Sequence, residues 1–594
     1  MSEMLPYRDA SLPIDERVED LLSRMTLAEK SGQLFHNMIS MGPQGELSSG
    51  DAAYEIPSTE ELVQSRLMTH FNLVGAINDA RLAAEWYNRL QQLALSTRLG
   101  IPITLSTDPR NHFEDNVGTS SRAGVFSQWP EPLGFAALRS SELIHHFADI
   151  SRQEYLAVGI RCALHPQVDL ATEPRWARIN QTFGEDADLS STLVQAYIRG
   201  FQGDSLGKES VSAMTKHFPG GGAQMDGEDA HFTYGREQVY PGNNFEYHLK
   251  PFIAAIEAGT SQMMPYYGMP VGTEYEEVGF AFNKGIIQGI LRDRLGFQGI
   301  ICTDWGLITD AIILGQDMPA RAWGCEDLSE IQRAKKILDA GCDQFGGESR
   351  PELVIQLVES GQLPESRIDQ SVRRILHQKF QQGLFDNPFV DVDAAAKIVG
   401  KDSFCAEGIA TQCRSFTLLK NDSAILPMRI SDKPLKLYLE GLSLDLLKTR
   451  LSKSDIELVS NPSDADLALL RLRCPYEPRS GGFEKKFHAG SLAYSPSEVS
   501  RLQNIFSSCP TIVDVYLDRP AVIPEIAANC TALLVNYGAE VSAFIDVVFG
   551  KASPEGKLPF DLPRSMDAVK ASRSDVPYDT ADAVFKFGDG LRYA

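Results

Sequence analysis

Four apolar runs in this 594-residue chain end in residues that can do chemistry. IPITLSTD closes on Asp108, and MTKHFPGG carries Lys216 and His217 side by side. SQMMPYYG ends in Tyr266 and Tyr267, and GFQGIICTDWG runs into Asp304, with Trp305 and Gly306 behind it. A carboxylate at the mouth of an apolar strand is costly to bury unless it is paired. Taken singly, each of these residues reads as a strand-end side chain satisfied by loop backbone; four such ends in one chain read as a constellation. Two acids, a Lys–His pair and aromatic rings suit a neutral, polyhydroxylated ligand, because Asp and Lys hydrogen-bond hydroxyls and ring faces stack on sugars. No GxxxxGK[ST] loop and no HExxH is present, which sets aside phosphate-loop and zincin chemistry. KHFPGGG is rich in glycine but lacks phosphate-loop spacing.

The elements around these ends repeat a pattern. RVEDLLSRMTLAEKSGQL has apolar residues at helical spacing, and Thr26 with Glu29 forms a capping box that implies a break near Met25. The helices ending at Gly100, Gly259 and Gly296 are each followed by an apolar strand, the usual form of an αβ joint. This alternation reads as an α/β domain with a parallel sheet, and a (β/α)8 TIM-like barrel fits its size. In such a barrel the carboxyl ends of the strands build the active site. IDQSVRRILHQKFQQGL is the last helix of this part, and FDNPFVDVDAAAKIVGKDS reads as a linker. The expected division is a barrel over 1–385, a linker over 386–405 and a second α/β sandwich domain over 406–594. The second domain's strands are expected in LKLYLEGL, DLALLRLR, TIVDVYLD and TALLVNYG.

The length implies two or three domains. With 43% hydrophobic and 23% charged residues the composition is that of a soluble globular protein, and a net charge of −23 argues against a nucleic-acid surface. The nine cysteines are scattered without a CxxC pair, which disfavours structural zinc and suits reduced thiols in a cytoplasmic enzyme. The N-terminus lacks an apolar signal core, and no membrane-length apolar run exists.

The chain resembles glycoside hydrolase family 3, the β-glucosidase-like enzymes. The resemblance is carried in order by the N-terminal helix, PRWARINQTFGEDADL, KHFPGG, GFQGIICTDWG, TLLKNDSAILPM, PEGKLPFDLP and FKFGDGLRY. It implies the barrel and sandwich already expected, an active site between them, and retaining hydrolysis through a covalent glycosyl-enzyme. Asp304 matches the nucleophile. Asp108, Arg178, Lys216 and His217 match residues that grip the first sugar. Tyr267, rather than its neighbour Tyr266, matches the tyrosine near the nucleophile, and Trp305 is expected to border the next sugar. A retaining glycosidase needs its nucleophile ionised about 3 Å from the anomeric carbon, a task for which a strand end is better than a loop.

The proton donor of this family usually comes from a variable loop of the second domain, here RCPYEPRSGGFEKKFHAGSL. Glu477 in PYEP matches best and Glu484 is the runner-up. N-acetylglucosaminidases of the family instead use an Asp–His dyad after the Lys–His strand, which DGEDAHF could imitate with Asp229 and His231. The expected activity is exo-acting β-D-glucosidase on small glucosides and oligosaccharides. The alternatives are β-xylosidase, β-N-acetylglucosaminidase or phosphorylase, and a non-catalytic sugar-binding protein on a decayed fold. Retention of Asp304 with Asp108, Lys216 and His217 speaks against the last. The implied partner is a small carbohydrate, with no nucleic acid, membrane, metal or organic cofactor; the sequence does not fix the oligomeric state.

Overall fold

The computed structural model describes residues 5–116, 118–429, 433–442, 447 and 456–593. Helix Ile14–Arg24 stops at Met25, and Leu27–Gln33 restarts behind Thr26, whose side chain accepts from the Glu29 N–H while the Glu29 carboxylate accepts from the Thr26 N–H. The capping box read from the sequence therefore makes the break.

Eight parallel strands then close into a barrel. They are β1 (Phe35–Ser40), β2 (His70–Val74), β3 (Thr104–Thr107), β4 (Ile160–Ala163), β5 (Ser212–Phe218), β6 (Gln262–Pro265), β7 (Ile300–Trp305) and β8 (Gln344–Gly346). Closure is made by Phe35 against Phe345 and His36 against Gly346. The amphipathic outer helices, such as Ala80–Leu95, bury one face on the strands. Asp79, Ser140 and Asp186 cap helix N-termini by accepting backbone N–H groups. Gly259 and Gly296 take positive φ just after their helices, as expected; Ala80–Leu95 instead ends well before Gly100, which turns the loop that follows. Inside the barrel, Cys162, Leu164, Met214, Met264 and Cys302 form a buried plug with Trp305 packed on it.

The stretch expected as a linker is itself structured. Asp391 caps helix Val392–Ile398, which packs on Ala80–Leu95, and Asp402–Ser415 follows. The second domain's sheet has six strands: β9 (Thr417–Asn421), β10 (Leu435–Glu440), β11 (Ile456–Leu458), β12 (Leu467–Arg473), β13 (Thr511–Tyr516) and β14 (Ala532–Asn536). Their spatial order is β9-β14-β13-β12-β10-β11, parallel except for β9. Four of the six are the strands read from the sequence; β9 and the three-residue β11 are additions. This domain sits over the carboxyl ends of the barrel strands: the Glu131 N–H donates to Tyr537 O at 2.8 Å, and Asp575 accepts from the N–H groups of Gly242 and Asn244 at 2.8 Å each. Among the described residues no helix is long and apolar enough to cross a membrane.

Candidate active site

A narrow cavity of about 80 Å³ opens at the carboxyl ends of the barrel strands, where barrel enzymes place their chemistry. Asp108, Arg178, Lys216, His217, Tyr267, Asp304 and Trp305 all line it. The barrel brings these seven residues together from strand ends and from the loop after β4. Leu164 and Met264 of the apolar plug form the floor, and Phe483 of the second domain reaches in from above.

The charged groups are held in fixed pairs. Lys216 Nζ donates to Asp108 Oδ1 at 2.8 Å, and Asn72 Nδ2 donates to Asp108 Oδ2 at 3.1 Å. Arg178 donates to His217 Nε2 at 3.1 Å and to Gln167 Oε1 at 3.1 Å. His217 Nδ1 then donates to Asp169 Oδ2 at 2.8 Å, which fixes the neutral tautomer. Burial, with Arg178 and Lys216 beside it, keeps that imidazole's pKa well below its ordinary value. Asp169 also accepts from the N–H groups of Gly221 and His217; burial pushes its pKa up to about 6 against those donors.

Asp304, the last residue but one of β7, has only 7% of its surface exposed. Its Oδ1 accepts from the Trp305 N–H at 2.9 Å, and the same N–H reaches Tyr267 Oη at 3.0 Å. Its Oδ2 is buried, has no hydrogen-bond partner among the described residues, and stands 3.7 Å from His217 Nε2. An unsatisfied carboxylate oxygen in a pocket of donors is arranged to react or to accept from a ligand. Tyr267, not Tyr266, borders the cavity. Burial and the charge of Asp304 drive its hydroxyl well above the ordinary pKa, so it stays a phenol. Tyr266 lies behind, its ring 4.8 Å from that of His217.

Of the three candidates for the second acid, only His231 borders the cavity. Glu477 is exposed and outside the cavity, and its carboxylate accepts from the Ser491 N–H at 3.3 Å. The reason is the loop's own pairing: the Glu477 N–H donates to Ala489 O at 2.9 Å, so Glu477 stands at the base of the loop whose tip carries Phe483. Glu484 is also outside, accepting from Tyr234 Oη at 2.6 Å. His231 does line the cavity, with its Nδ1 at 2.6 Å from Asp229 Oδ1 and its ring 4.6 Å from that of Tyr267. Trp176 Nε1 donates to the other oxygen of Asp229 at 3.1 Å. Burial lowers the His231 pKa, with Asp229 opposing.

Sequence reading missed Asn72, Asp169 and Phe483. Asn72 is a lone amide inside HFNLV, and Asp169 lies five residues before the arginine loop, between Val168 and Leu170, so both carried a signal as polar residues in apolar surroundings. Phe483 carried none.

Comparison with known proteins gives the following. The family model for the glycosyl hydrolase family 3 N terminal domain matches residues 26–378, and that for the C-terminal domain matches residues 444–593. A probable β-glucosidase C of Aspergillus oryzae is 57% identical over 99% of this chain and 91% of its own length. A periplasmic β-glucosidase/β-xylosidase of Dickeya chrysanthemi is 40% identical over 99% of this chain and 91% of its own length. Among solved structures, a β-glucosidase of Erythrobacter marinus superposes with a TM-score of 0.78 at 21% identity, over 99% of this chain and 84% of its own.

Proposed function

The chain belongs to glycosyl hydrolase family 3, and from that premise we propose that Asp304 is the nucleophile of a β-glucosidase that releases terminal glucose with retention of configuration. The observation that carries this reading is the unpartnered Asp304 Oδ2, in a pocket whose polar lining includes Arg178, Lys216 and His217. In the first step Oδ2 attacks the anomeric carbon as the glycosidic oxygen leaves with a proton. In the second, water loses a proton and its oxygen displaces Asp304, so two inversions preserve the β configuration. Asp108, Lys216, Arg178 and His217 hold the hydroxyls of the first sugar, and Trp305 borders the next.

His231 is our choice of proton donor. Asp229 engages Nδ1 and leaves Nε2 for the glycosidic oxygen, and the same nitrogen takes the proton back from water. Glu477 is not retained in this role, because its carboxylate lies outside the cavity.

The relative from Dickeya chrysanthemi that carries both activities in its name favours a second, slower reaction on β-xylosides. A hydroxymethyl group held by good hydrogen bonds supplies about 1–3 kcal/mol, roughly tenfold or more in rate. p-Nitrophenyl β-D-glucoside is therefore expected to exceed the xyloside in kcat/KM; a higher value for the xyloside would overturn the preference. A slowly turned-over aryl glucoside should leave a glucosyl ester on Asp304, located by peptide mass spectrometry, and a label on any other carboxylate refutes the nucleophile.

A further inference from the structure

A second and larger cavity, of about 610 Å³, lies between the domains and outside the glycosidase pocket. It sits where an open α/β sheet is built to bind. β10 connects to β11 on one side, and the chain then crosses back to place β12 on the other side of β10. At such a switch point the loops leaving the carboxyl ends separate and leave a crevice. Gly441, just after β10, and Arg473, at the end of β12, both line the cavity. Its size falls in the range of about 300–1,000 Å³ typical of small-molecule sites.

Its chemistry differs from that of the first pocket. In a chain of net charge −23, five cations converge here: Arg122, Arg471, Arg473, Lys485 and Lys486. Arg471 is engaged by Asp514 at 2.8 Å, and Arg122 stands 3.6 Å from Asp115. Arg473, Lys485 and Lys486 meet no carboxylate among the described residues; Arg473 only lies over the Tyr516 ring at 5.8 Å. Two deeply buried lining residues are short of donors. Asn180 is 4% exposed and Asp518 6%, and the Oδ1 of each has no hydrogen-bond partner among the described residues. The remaining polar atoms of both are used: Asn180 Nδ2 donates to Glu114 Oε2 at 2.7 Å, and Asp518 Oδ2 is 2.5 Å from His488 Nδ1. Unpaired cations call for an oxyanion, and buried acceptors call for hydroxyl donors.

We propose that this crevice is a second ligand site, taking a hydroxylated oxyanion of the sugar phosphate or sugar acid class. Arg473, Lys485 and Lys486 receive the anionic group, while Asn180 and Asp518 accept from its hydroxyls. The site is separated from the glycosidase pocket by a thin wall. Asn116 Nδ2 donates to Lys486 O at 3.3 Å, and a Cβ on Gly118 would meet the Phe483 ring at 2.8 Å.

Calorimetric titration of the full chain with glucose 6-phosphate and with glucuronate, with glucose as neutral control, tests the site. At least one of the two anions is expected to bind saturably, to resist displacement by excess glucose, and to slow amide exchange over 471–488 and 113–122. The phosphate and carboxylate arms identify which oxyanion is preferred. Binding should persist in Asp304→Asn and weaken roughly tenfold or more in the Lys485→Ala/Lys486→Ala double variant, whose changes fall on two exposed side chains. The proposal is overturned if neither anion binds at millimolar concentration, if glucose displaces the anion, or if the double variant binds it as the wild type does. Asp304→Asn separates this result from the glycosidase reading, since loss of turnover there leaves the anion titration unchanged.

Discussion

A proton donor is identified by how its loss affects different leaving groups. His231→Ala should nearly abolish hydrolysis of cellobiose-type substrates while sparing activated aryl glucosides, and azide should restore turnover as β-glucosyl azide. Glu477→Ala should lose little, whatever the leaving group. If leaving-group dependence and azide rescue appear in Glu477→Ala instead, the loop closes on substrate and the dyad is not the donor. Since burial lowers the His231 pKa, its protonated form is depleted as pH rises through a value below 6.5. In wild type, kcat/KM for poor leaving groups should fall across that limb, while activated aryl glucosides, which leave without a proton, should show little of it. The sequence showed Asp108, Lys216, His217, Tyr267 and Asp304, because each interrupts an apolar run with a charge or a phenol. Where the loop acid Glu477 stands was not legible, because a loop residue's position depends on pairing that is invisible locally: its N–H pairs with Ala489 O, at the base of a loop whose tip, and not PYEP, reaches the cavity.

At the level of elements, the glycines after β5 serve close packing. A Cβ on Gly222 would sit 1.6 Å from Leu170 O, and one on Gly221 would meet the Tyr266 ring at 2.9 Å and Asp169 Oδ1 at 3.1 Å. The turn thus presses its backbone against Asp169, which fixes His217. Gly222→Ala should destabilise by more than about 2 kcal/mol and lower kcat/KM, because backbone would have to move. Gly289→Ala, in the wide-turned helix Gly285–Arg294 with nothing within 4 Å of the added carbon, should leave activity unchanged and stability equal or slightly higher. Thermal unfolding and kinetics of the two variants check the contrast; equal effects would mean that the turn is not a packing device. These glycine joints also explain which strands were legible. β3, β6 and β7 follow a glycine that closes a helix or turn, and apolar residues lead into or fill each of them. β1 and β2, FHNMIS and HFNLV, are interrupted by buried His and Asn residues, and β8 is only three residues long.

Across the whole molecule, buried acids stand where the two domains meet. Glu185, on the barrel side, accepts from the N–H groups of Asp561 and Tyr578 at 2.7 Å each. Burial pushes its pKa up to about 8 against those two donors, with Asp561 and Asp186 adding to the rise; Glu131 at the other contact is also raised to about 8, by burial and by Glu114. A carboxyl whose pKa is raised on folding binds its proton more tightly in the native state. Its stabilising contribution is therefore full below the unfolded value near 4.5 and is lost as pH rises toward 8. The melting temperature should fall between about pH 5 and about pH 9, and Glu185→Gln should flatten that slope; an unchanged slope would remove Glu185 from the account. The plug of Cys162, Leu164, Met214, Met264 and Cys302 has a further consequence. It stops the pocket at its floor, so the cavity is a well with one mouth. An oligosaccharide cannot thread through such a well; for a glucosidase of the proposed kind it would enter by its tip, lose one unit and withdraw before the released sugar could follow. Digestion is therefore distributive rather than processive: a uniform oligomer should shorten through every intermediate length, and accumulating glucose should slow it by occupying the well.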